Sequence, residues 1–132
     1  MNEPLHKKNF QPDATCPLDG IRILDLSRLV SGNMISLQLA DFGAEVIKVE
    51  APDKGDPLRH WDVEGHGTAW KVYGRNKKSM TLNLRAPEGA DILLKLAKDA
   101  DVLIENFRPG PLEKTPFAPD KLRTLNPNLI LV

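Results

Sequence analysis

Residues 21–50 constrain the fold most, because they predict a strand, a helix and a second strand in direct succession. Residues 21–26 (IRILDL) form a short and mostly apolar run, which is typical of a buried strand. Residues 34–42 place Ile35, Leu39 and Phe42 on one apolar helical face, and residues 45–50 (EVIKVE) predict the second strand. A crossover of this kind joins parallel strands, so the sequence predicts an α/β fold.

Three further strands are predicted downstream, at residues 79–84, 102–104 and 129–132. Residues 51–70 are rich in proline and glycine and predict a long surface excursion without regular structure. A helix is predicted to begin at Pro87, and its buried face is expected to consist of Ile92, Leu93, Leu96, Ala97 and Ala100. These elements predict a mostly parallel sheet with helices on both faces.

The two ends of the chain are interpreted separately. Residues 1–16 are polar and are expected to form a tail, with residues 17–132 as the structured part. The apolar run at residues 129–132 reaches the last residue with nothing behind it, whereas a parallel strand needs cover on both faces. We therefore expect the chain to be an N-terminal part of a longer protein, truncated after a strand.

The composition argues against several classes of function. The chain has 18 basic and 18 acidic side chains, and this balance argues against a nucleic-acid partner. No apolar window is long enough for a membrane helix, and the N-terminus lacks the pattern of a signal peptide. The single cysteine, Cys16, excludes an internal disulfide, and the histidines lack metal-ligand spacing. We expect a cytoplasmic protein without a metal.

The neutral total conceals a charge asymmetry. Residues 1–66 hold 7 basic and 11 acidic side chains, whereas residues 67–132 hold 11 basic and 7 acidic ones. The halves can simply attract each other in the folded domain, or the second half can hold a site for an anionic ligand. The basic run at residues 71–78 makes Arg75, Lys77 and Lys78 candidates for phosphate contacts, with a solvated surface as the alternative.

The turn after the first predicted strand is one candidate ligand-binding segment, since ligands of open α/β sheets bind beyond the carboxyl ends of the strands. It contains Leu29, Val30 and Ser31 and leads into a helix, whose N-terminus favours a negative group. The alternative is that Ser31 or Asn33 only caps the helix.

The turn after the strand at residues 102–104 is a second candidate. Asn106 offers a donor and an acceptor, and Phe107 offers a flat face on which a purine can stack. The alternative is a packed ring beside an asparagine that closes the turn.

No catalytic residue can be assigned within the chain. Asp25, Glu50 and Glu105 each stand near a strand end, but each is a single carboxylate for which a structural hydrogen bond is the simpler interpretation. The sequence has no nucleophile elbow, no phosphate-binding Walker loop and no glycine fingerprint for a dinucleotide.

Several segments together carry a resemblance to a known family. They are PLDGIRILDLS (17–27), LADFGAEVIKVE (39–50), GDPLR (55–59), RNKKS (75–79), PEG (87–89), ADVLIENFRPG (100–110) and LNP (125–127). In this order they resemble the start of a family III CoA-transferase, the group that includes formyl-CoA transferase, carnitine CoA-transferase and α-methylacyl-CoA racemase.

The resemblance implies a Rossmann-like domain that binds coenzyme A and two chains that interlock as a homodimer. It assigns CoA binding to Leu29, Val30, Ser31, Leu82, Asn106, Phe107 and Lys114. Two positions depart from formyl-CoA transferase, because Ala51 and Lys114 stand where that enzyme has arginines. Lys114 keeps the charge without the bidentate fork, and Ala51 keeps neither.

The resemblance also implies a mechanism. An aspartate attacks the acyl-CoA thioester to give a mixed anhydride and then an enzyme-bound CoA thioester, from which CoA passes to an acceptor carboxylic acid. That aspartate is expected beyond residue 132, so this chain alone is expected to be inactive. The open alternatives are an acyl-CoA racemase of the same family and a non-catalytic CoA-binding, nucleotide-binding or dimerisation module. In a eukaryote, a mitochondrial or peroxisomal location is expected.

Overall fold

The computed structural model describes residues 11, 13–61, 67–110 and 112–132. Their strands form one parallel sheet. The strands are β1 (Arg22–Asp25), β2 (Glu45–Glu50), β3 (Lys77–Thr81), β4 (Val102–Ile104) and β5 (Ile130–Leu131), in the spatial order β3-β2-β1-β4-β5. The chain builds outward from β1 to β3 and then crosses to β4 on the other side of β1. Ligands of open α/β sheets bind near such a reversal, at the carboxyl ends of the strands.

Helices cover both faces of this sheet, so the predicted α/β class is confirmed. The helices are α1 (Ser31–Asp41), α2 (Thr68–Tyr73), α3 (Pro87–Lys98) and α4 (Pro119–Leu125), with 3₁₀ turns at Pro57–His60 and Leu112–Lys114. Helix α1 packs on one face, and α3 and α4 pack on the other. Within the described ranges, no helix is long and apolar enough to cross a membrane.

Helix α1 corrects the sequence prediction in its boundaries and in its buried face. It begins at Ser31, earlier than predicted, and the predicted inward residues Ile35 and Phe42 are 42% and 57% exposed. The buried side includes Asn33 and Ser36 instead, both fully inaccessible. The physical reason is that α1 packs on charged side chains of the sheet, which require polar partners rather than apolar ones.

Three other predictions also need correction. The excursion at residues 51–70 contains the first 3₁₀ turn and the start of α2, and β3 begins at Lys77 rather than at residue 79. On α3, Leu93 and Ala97 are buried as predicted, but Ile92 is 42% exposed. Residues 1–10 and 12 lie outside the described residues, so the division into a tail and a domain stays a prediction.

Candidate functional site

A groove of about 710 Å³ opens at the carboxyl ends of the strands, where the topology predicts a ligand site. Four segments line it, and each follows or ends a strand: residues 26–28 after β1, 49–57 at the end of β2, 82–85 after β3, and Phe107 after β4. Its volume falls within the range of small-molecule and cofactor sites. The groove is therefore the candidate functional site.

Four buried charges lie on the α1 face of the sheet, and we call Asp25, Lys48, Asp56 and Lys77 the ionic cluster. One of them, Asp56, also lines the groove. The Lys48 ammonium lies 3.3 Å from Asp25 and 3.1 Å from Asp56, and the Lys77 ammonium lies 3.3 Å from Asp25. All four side chains are at most 1% exposed. The two cations and two carboxylates balance, as buried charges must.

Neighbouring polar groups complete the ionic cluster. The hydroxyls of Ser27 and Ser36 donate to Asp25, and the Lys77 ammonium donates to the Asn33 carbonyl over 2.9 Å. In the part of the chain that is described, no buried side-chain nitrogen or oxygen lacks a hydrogen-bond partner. Burial nevertheless lowers the pKa of Lys77, because desolvation outweighs the attraction of Asp25.

Asp56 joins four parts of the fold. One carboxylate oxygen accepts from the backbone N–H of Leu29 (3.1 Å) and of Leu58 (2.8 Å), and the other accepts from the Asn33 amide (2.8 Å) and lies 3.1 Å from the Lys48 ammonium. Burial alone would raise the pKa of Asp56, but these donors hold it below its ordinary value. Asp56 is therefore charged at neutral pH, and both of its carboxylate oxygens have hydrogen-bond or ion-pair partners.

The turn that Asp56 holds has an unusual backbone. Leu29 has φ of +61°, in the left-handed region that side-chain-bearing residues rarely adopt. Such a conformation costs about 1–3 kcal/mol and persists only where surrounding contacts enforce it. Just after it, a Cβ added to Gly32 would lie 2.1 Å from the Ser27 Cβ, so glycine lets α1 begin directly against the end of β1.

A second ion pair holds the loop after β2. Arg59 donates to both oxygens of Glu50, over 2.6 and 2.8 Å, and Glu50 also accepts from the Ser79 hydroxyl over 2.6 Å. Burial opposes ionisation of Glu50, yet the hydrogen bond from Arg59 and its other donors lower its pKa to about 2. Gly55, with φ of +65°, allows this close packing, since an added Cβ would lie 2.8 Å from both Glu50 and Arg59 side chains.

The asparagine predicted to bind a ligand is already engaged within the chain. The Asn106 amide nitrogen donates to the Arg28 carbonyl (2.8 Å) and to the Ser31 hydroxyl (3.2 Å), and its oxygen accepts from the Arg28 N–H (2.8 Å). Asn106 thus ties the turn after β1 to the turn after β4. The cap of α1 is Val30, without a side-chain hydrogen bond, so neither Ser31 nor Asn33 acts as the helix cap.

The other predicted binding residues are divided between the groove and its surroundings. Leu82 and Phe107 line the groove, and the Arg28 guanidinium lies 5.4 Å from the centre of the Phe107 ring. Residues 29–31 adjoin the groove without lining it, and Lys114 lies in the second 3₁₀ turn, also outside the lining.

The cations predicted to contact phosphate are paired with carboxylates of the chain. Arg75 lies 2.5 Å from Asp41, Lys78 lies 2.5 Å from Glu45, and Lys77 belongs to the ionic cluster. The groove is lined by other cations, which the sequence reasoning did not select: Arg28, Lys54 and Arg85. Each of these three cations lies in a segment that follows a strand, and this position in the sequence could have identified them as candidates.

The carboxylates near the strand ends have structural partners. Asp25 and Glu50 are in the ion pairs described above, and Glu105 accepts from the Phe107 N–H over 2.7 Å. Among the residues that the structure describes, no group of three histidine, cysteine or acidic side chains could hold a metal ion. Sequence reasoning missed the burial of Lys48, although its alternation with Val46 in β2 placed both on one face of a buried strand.

Comparison with known proteins gives a consistent result. Residues 18–132 match the family described as CoA-transferase family III. The chain is 47% identical over 119 residues to succinyl-CoA–D-citramalate CoA-transferase of Chloroflexus aurantiacus, covering 88% of the chain and 30% of that enzyme. It is 40% identical over 117 residues to human succinyl-CoA:glutarate CoA-transferase, covering 86% of the chain and 27% of that enzyme.

Solved structures agree with these relatives. Rv3272 from Mycobacterium tuberculosis superposes with a TM-score of 0.82 at 45% identity, over 88% of this chain and 32% of that one. A CAIB/BAIF family protein from Brucella suis gives 0.82 at 38% identity, over 89% and 33%. The chain thus spans about a third of the length of these proteins. With the family match extending over residues 18–132, the chain belongs to CoA-transferase family III.

Proposed function

We propose that this chain is the N-terminal CoA-binding portion of an acyl-CoA:carboxylate CoA-transferase. The observation that carries the proposal is the groove at the carboxyl ends of the strands, in a chain that matches the family over residues 18–132. The complete enzyme moves CoA between carboxylic acids through an aspartyl anhydride and an enzyme–CoA thioester, and the aspartate lies beyond residue 132. This chain alone is inactive.

The lining of the groove supports the choice of ligand. Its apolar members, Leu82 and Phe107, suit the pantetheine chain and the adenine, whereas Arg28, Lys54 and Arg85 suit the phosphates. These cations compensate for Ala51, which lies in the same lining without a charge. Residues 29–31 and Lys114 lie outside the lining, so contacts from them require a ligand that extends beyond the groove.

The buried carboxylates near the groove, Asp25, Glu50 and Asp56, do not suit the role of nucleophile. Asp25 and Asp56 are buried and paired with lysines, and Glu50 is held by Arg59 with a pKa of about 2. A nucleophile needs a free, directed oxygen. This supports placing the catalytic aspartate in another part of the complete enzyme, which we propose to be an interlocked homodimer.

The substrates are proposed from the names of the relatives. The enzyme from Chloroflexus aurantiacus and the human enzyme are both named as succinyl-CoA transferases, with citramalate and glutarate as acceptors. We therefore propose succinyl-CoA as donor and a small dicarboxylic acid as acceptor.

Binding of CoA to the complete protein tests the proposal most directly. Calorimetry should show saturable binding, and Phe107→Ala should weaken it about 10-fold, because the lost aromatic contact is worth about 1.4 kcal/mol. Phe42→Ala is the matched control, since Phe42, directly after α1, is 57% exposed and lies outside the groove lining, and it should leave the affinity unchanged. Absence of CoA binding by the wild-type protein would overturn the proposal.

The reaction itself separates the alternatives. The complete enzyme, given succinyl-CoA and a dicarboxylic acid, should form the second acyl-CoA, which chromatography detects. Exchange of the α-proton of an acyl-CoA with deuterated water, without CoA transfer, would indicate a racemase instead. Binding of CoA with neither reaction would indicate a non-catalytic module.

A further inference from the structure

The two walls of the groove come from different strands, and one carboxylate joins them. One wall is the turn after β1, with Ser27 and Arg28, and the other is the loop of residues 51–57 after β2. Asp56 belongs to the second wall, is 2% exposed, and contacts the turn of the first. We infer that Asp56 is a positioning residue, which fixes the conformation and spacing of both walls and thereby the affinity of the groove for acyl-CoA. The inference rests on the proposed function.

The contacts of Asp56 require a carboxylate. Its two oxygens receive three N–H donors and lie beside the Lys48 ammonium at 3.1 Å, so every side of the group is occupied. An asparagine of the same shape replaces one acceptor by a donor, which would face N–H groups or an ammonium. Asp56→Asn therefore breaks the junction between the walls while preserving the volume of the side chain.

The backbone of Leu29 shows what the junction enforces. Its N–H donates to Asp56 while its φ of +61° is one that leucine avoids. Without this bond the turn is expected to relax to an ordinary conformation, which displaces Arg28 and Ser27 at the groove. If the turn must be ordered again when the ligand binds, the affinity for the ligand is lower, because part of the binding free energy is used to order the turn.

The measurement is a double-mutant cycle in the complete protein. Asp56→Asn should raise KM for acyl-CoA about 10-fold and change kcat less than about 3-fold, because Asp56 acts on the binding wall rather than on the reacting atoms. Leu29→Gly provides the second variant, since glycine adopts a positive φ without strain. In the Leu29→Gly background, Asp56→Asn should raise KM less than about 3-fold.

Two outcomes would overturn the inference. One is a folded Asp56→Asn protein with wild-type KM, and the other is the full increase in KM in the glycine background. Asp91→Asn, an exposed aspartate on α3, is the control for loss of a carboxylate and should leave KM unchanged. If Asp56→Asn fails to fold, Asn33→Ser replaces it. This variant removes one donor to Asp56, together with the hydrogen bond from the Asn33 amide to the Leu29 carbonyl. It should raise KM about 3-fold, and an unchanged KM would contradict the inference.

Amide hydrogen exchange separates this inference from the proposed function. Peptides covering residues 27–31 should exchange faster in Asp56→Asn than in the wild type, with or without ligand. If the wild type binds no CoA, the proposed function fails, and the exchange rates still test whether Asp56 holds the turn. If the wild type binds CoA and Asp56→Asn binds it equally well, the positioning role fails and the proposed function stands.

Discussion

The two faces of the sheet are stabilised by different interactions. On the face covered by α3 and α4, buried residues of the described ranges form a hydrophobic cluster that includes Leu93 and Leu103. On the face covered by α1, a smaller apolar cluster around Ile23 and Val46 lies beside the ionic cluster. One face therefore depends on contact area, and the other depends on matched charges.

The two kinds of interaction constrain the structure to different degrees. Apolar burial is non-directional, so the α3–α4 face stabilises the sheet without specifying exact positions. Burying charges costs desolvation energy, and the cost is recovered only if each partner is in place. One member of the ionic cluster, Asp56, lines the groove and contacts the turn after β1. The apolar face therefore stabilises the sheet through buried area, whereas the ionic cluster holds in place the turns that its members join.

The largest effect is expected from breaking the ionic cluster. Lys48→Met leaves Asp25 and Asp56 without their shared cation, and loss of one partner from a buried ion pair costs about 3–5 kcal/mol of unfolding free energy. Urea unfolding measures the change. Lys54→Met removes an exposed lysine and should change stability by less than about 0.5 kcal/mol. A loss below about 1 kcal/mol for Lys48→Met would show that the cluster tolerates an unpaired carboxylate.

A smaller loss is expected on the apolar face. Leu93 is fully buried in the hydrophobic cluster, so Leu93→Ala should cost about 3 kcal/mol through lost burial and a residual cavity. Its neighbour Ile92 is 42% exposed, and Ile92→Ala should cost less than about 1 kcal/mol. Equal effects of the two substitutions, measured by urea unfolding, would contradict the assignment of the buried face of α3.

The smallest effect is expected from pH. Because the pKa of Glu50 falls from 4.5 to about 2 on folding, its ion pair stabilises the protein above pH 4.5 and the contribution is lost as pH decreases toward 2. Glu50→Gln should be less stable than the wild type at pH 7, and the difference should narrow as the pH decreases from 4.5 toward 2. Because the Arg59 side chain is 37% exposed, solvent screening keeps this difference small. Urea unfolding at several pH values tests this. A difference independent of pH would contradict the ionic role of Glu50.

Much of the fold was predictable because it depends on local patterns. The apolar runs of β1 and β2 and the helix after Pro87 were located from residue type and spacing alone. The buried face of α1 was predicted wrongly, because apolar periodicity places Ile35 and Phe42 on the buried side, whereas both are exposed. The charges of Asp25 and Lys48 explain why polar residues of α1 are buried instead, and only the folded structure shows that these charges lie beneath α1 and are paired with each other.

The candidate site was predictable only in outline. Its location beyond the strand ends followed from the α/β topology, and Leu82 and Phe107 do line the groove. The roles of Asn106 and Lys77 could not be anticipated, because each depends on partners far along the chain. A basic run in sequence gives no information on whether each cation faces solvent, a ligand or a buried carboxylate.

The sequence by itself determined the family, the parallel α/β architecture and the edge of the sheet where the candidate groove lies, since motifs, apolar periodicity and the succession of strands and helices are properties of the linear chain. Tertiary structure alone decided which charges pair, which face of α1 is buried and how Asp56 connects the two walls of the groove. The physical reason is that the energy of a buried charge depends on its partners within a few ångströms, and those partners are brought together only by folding.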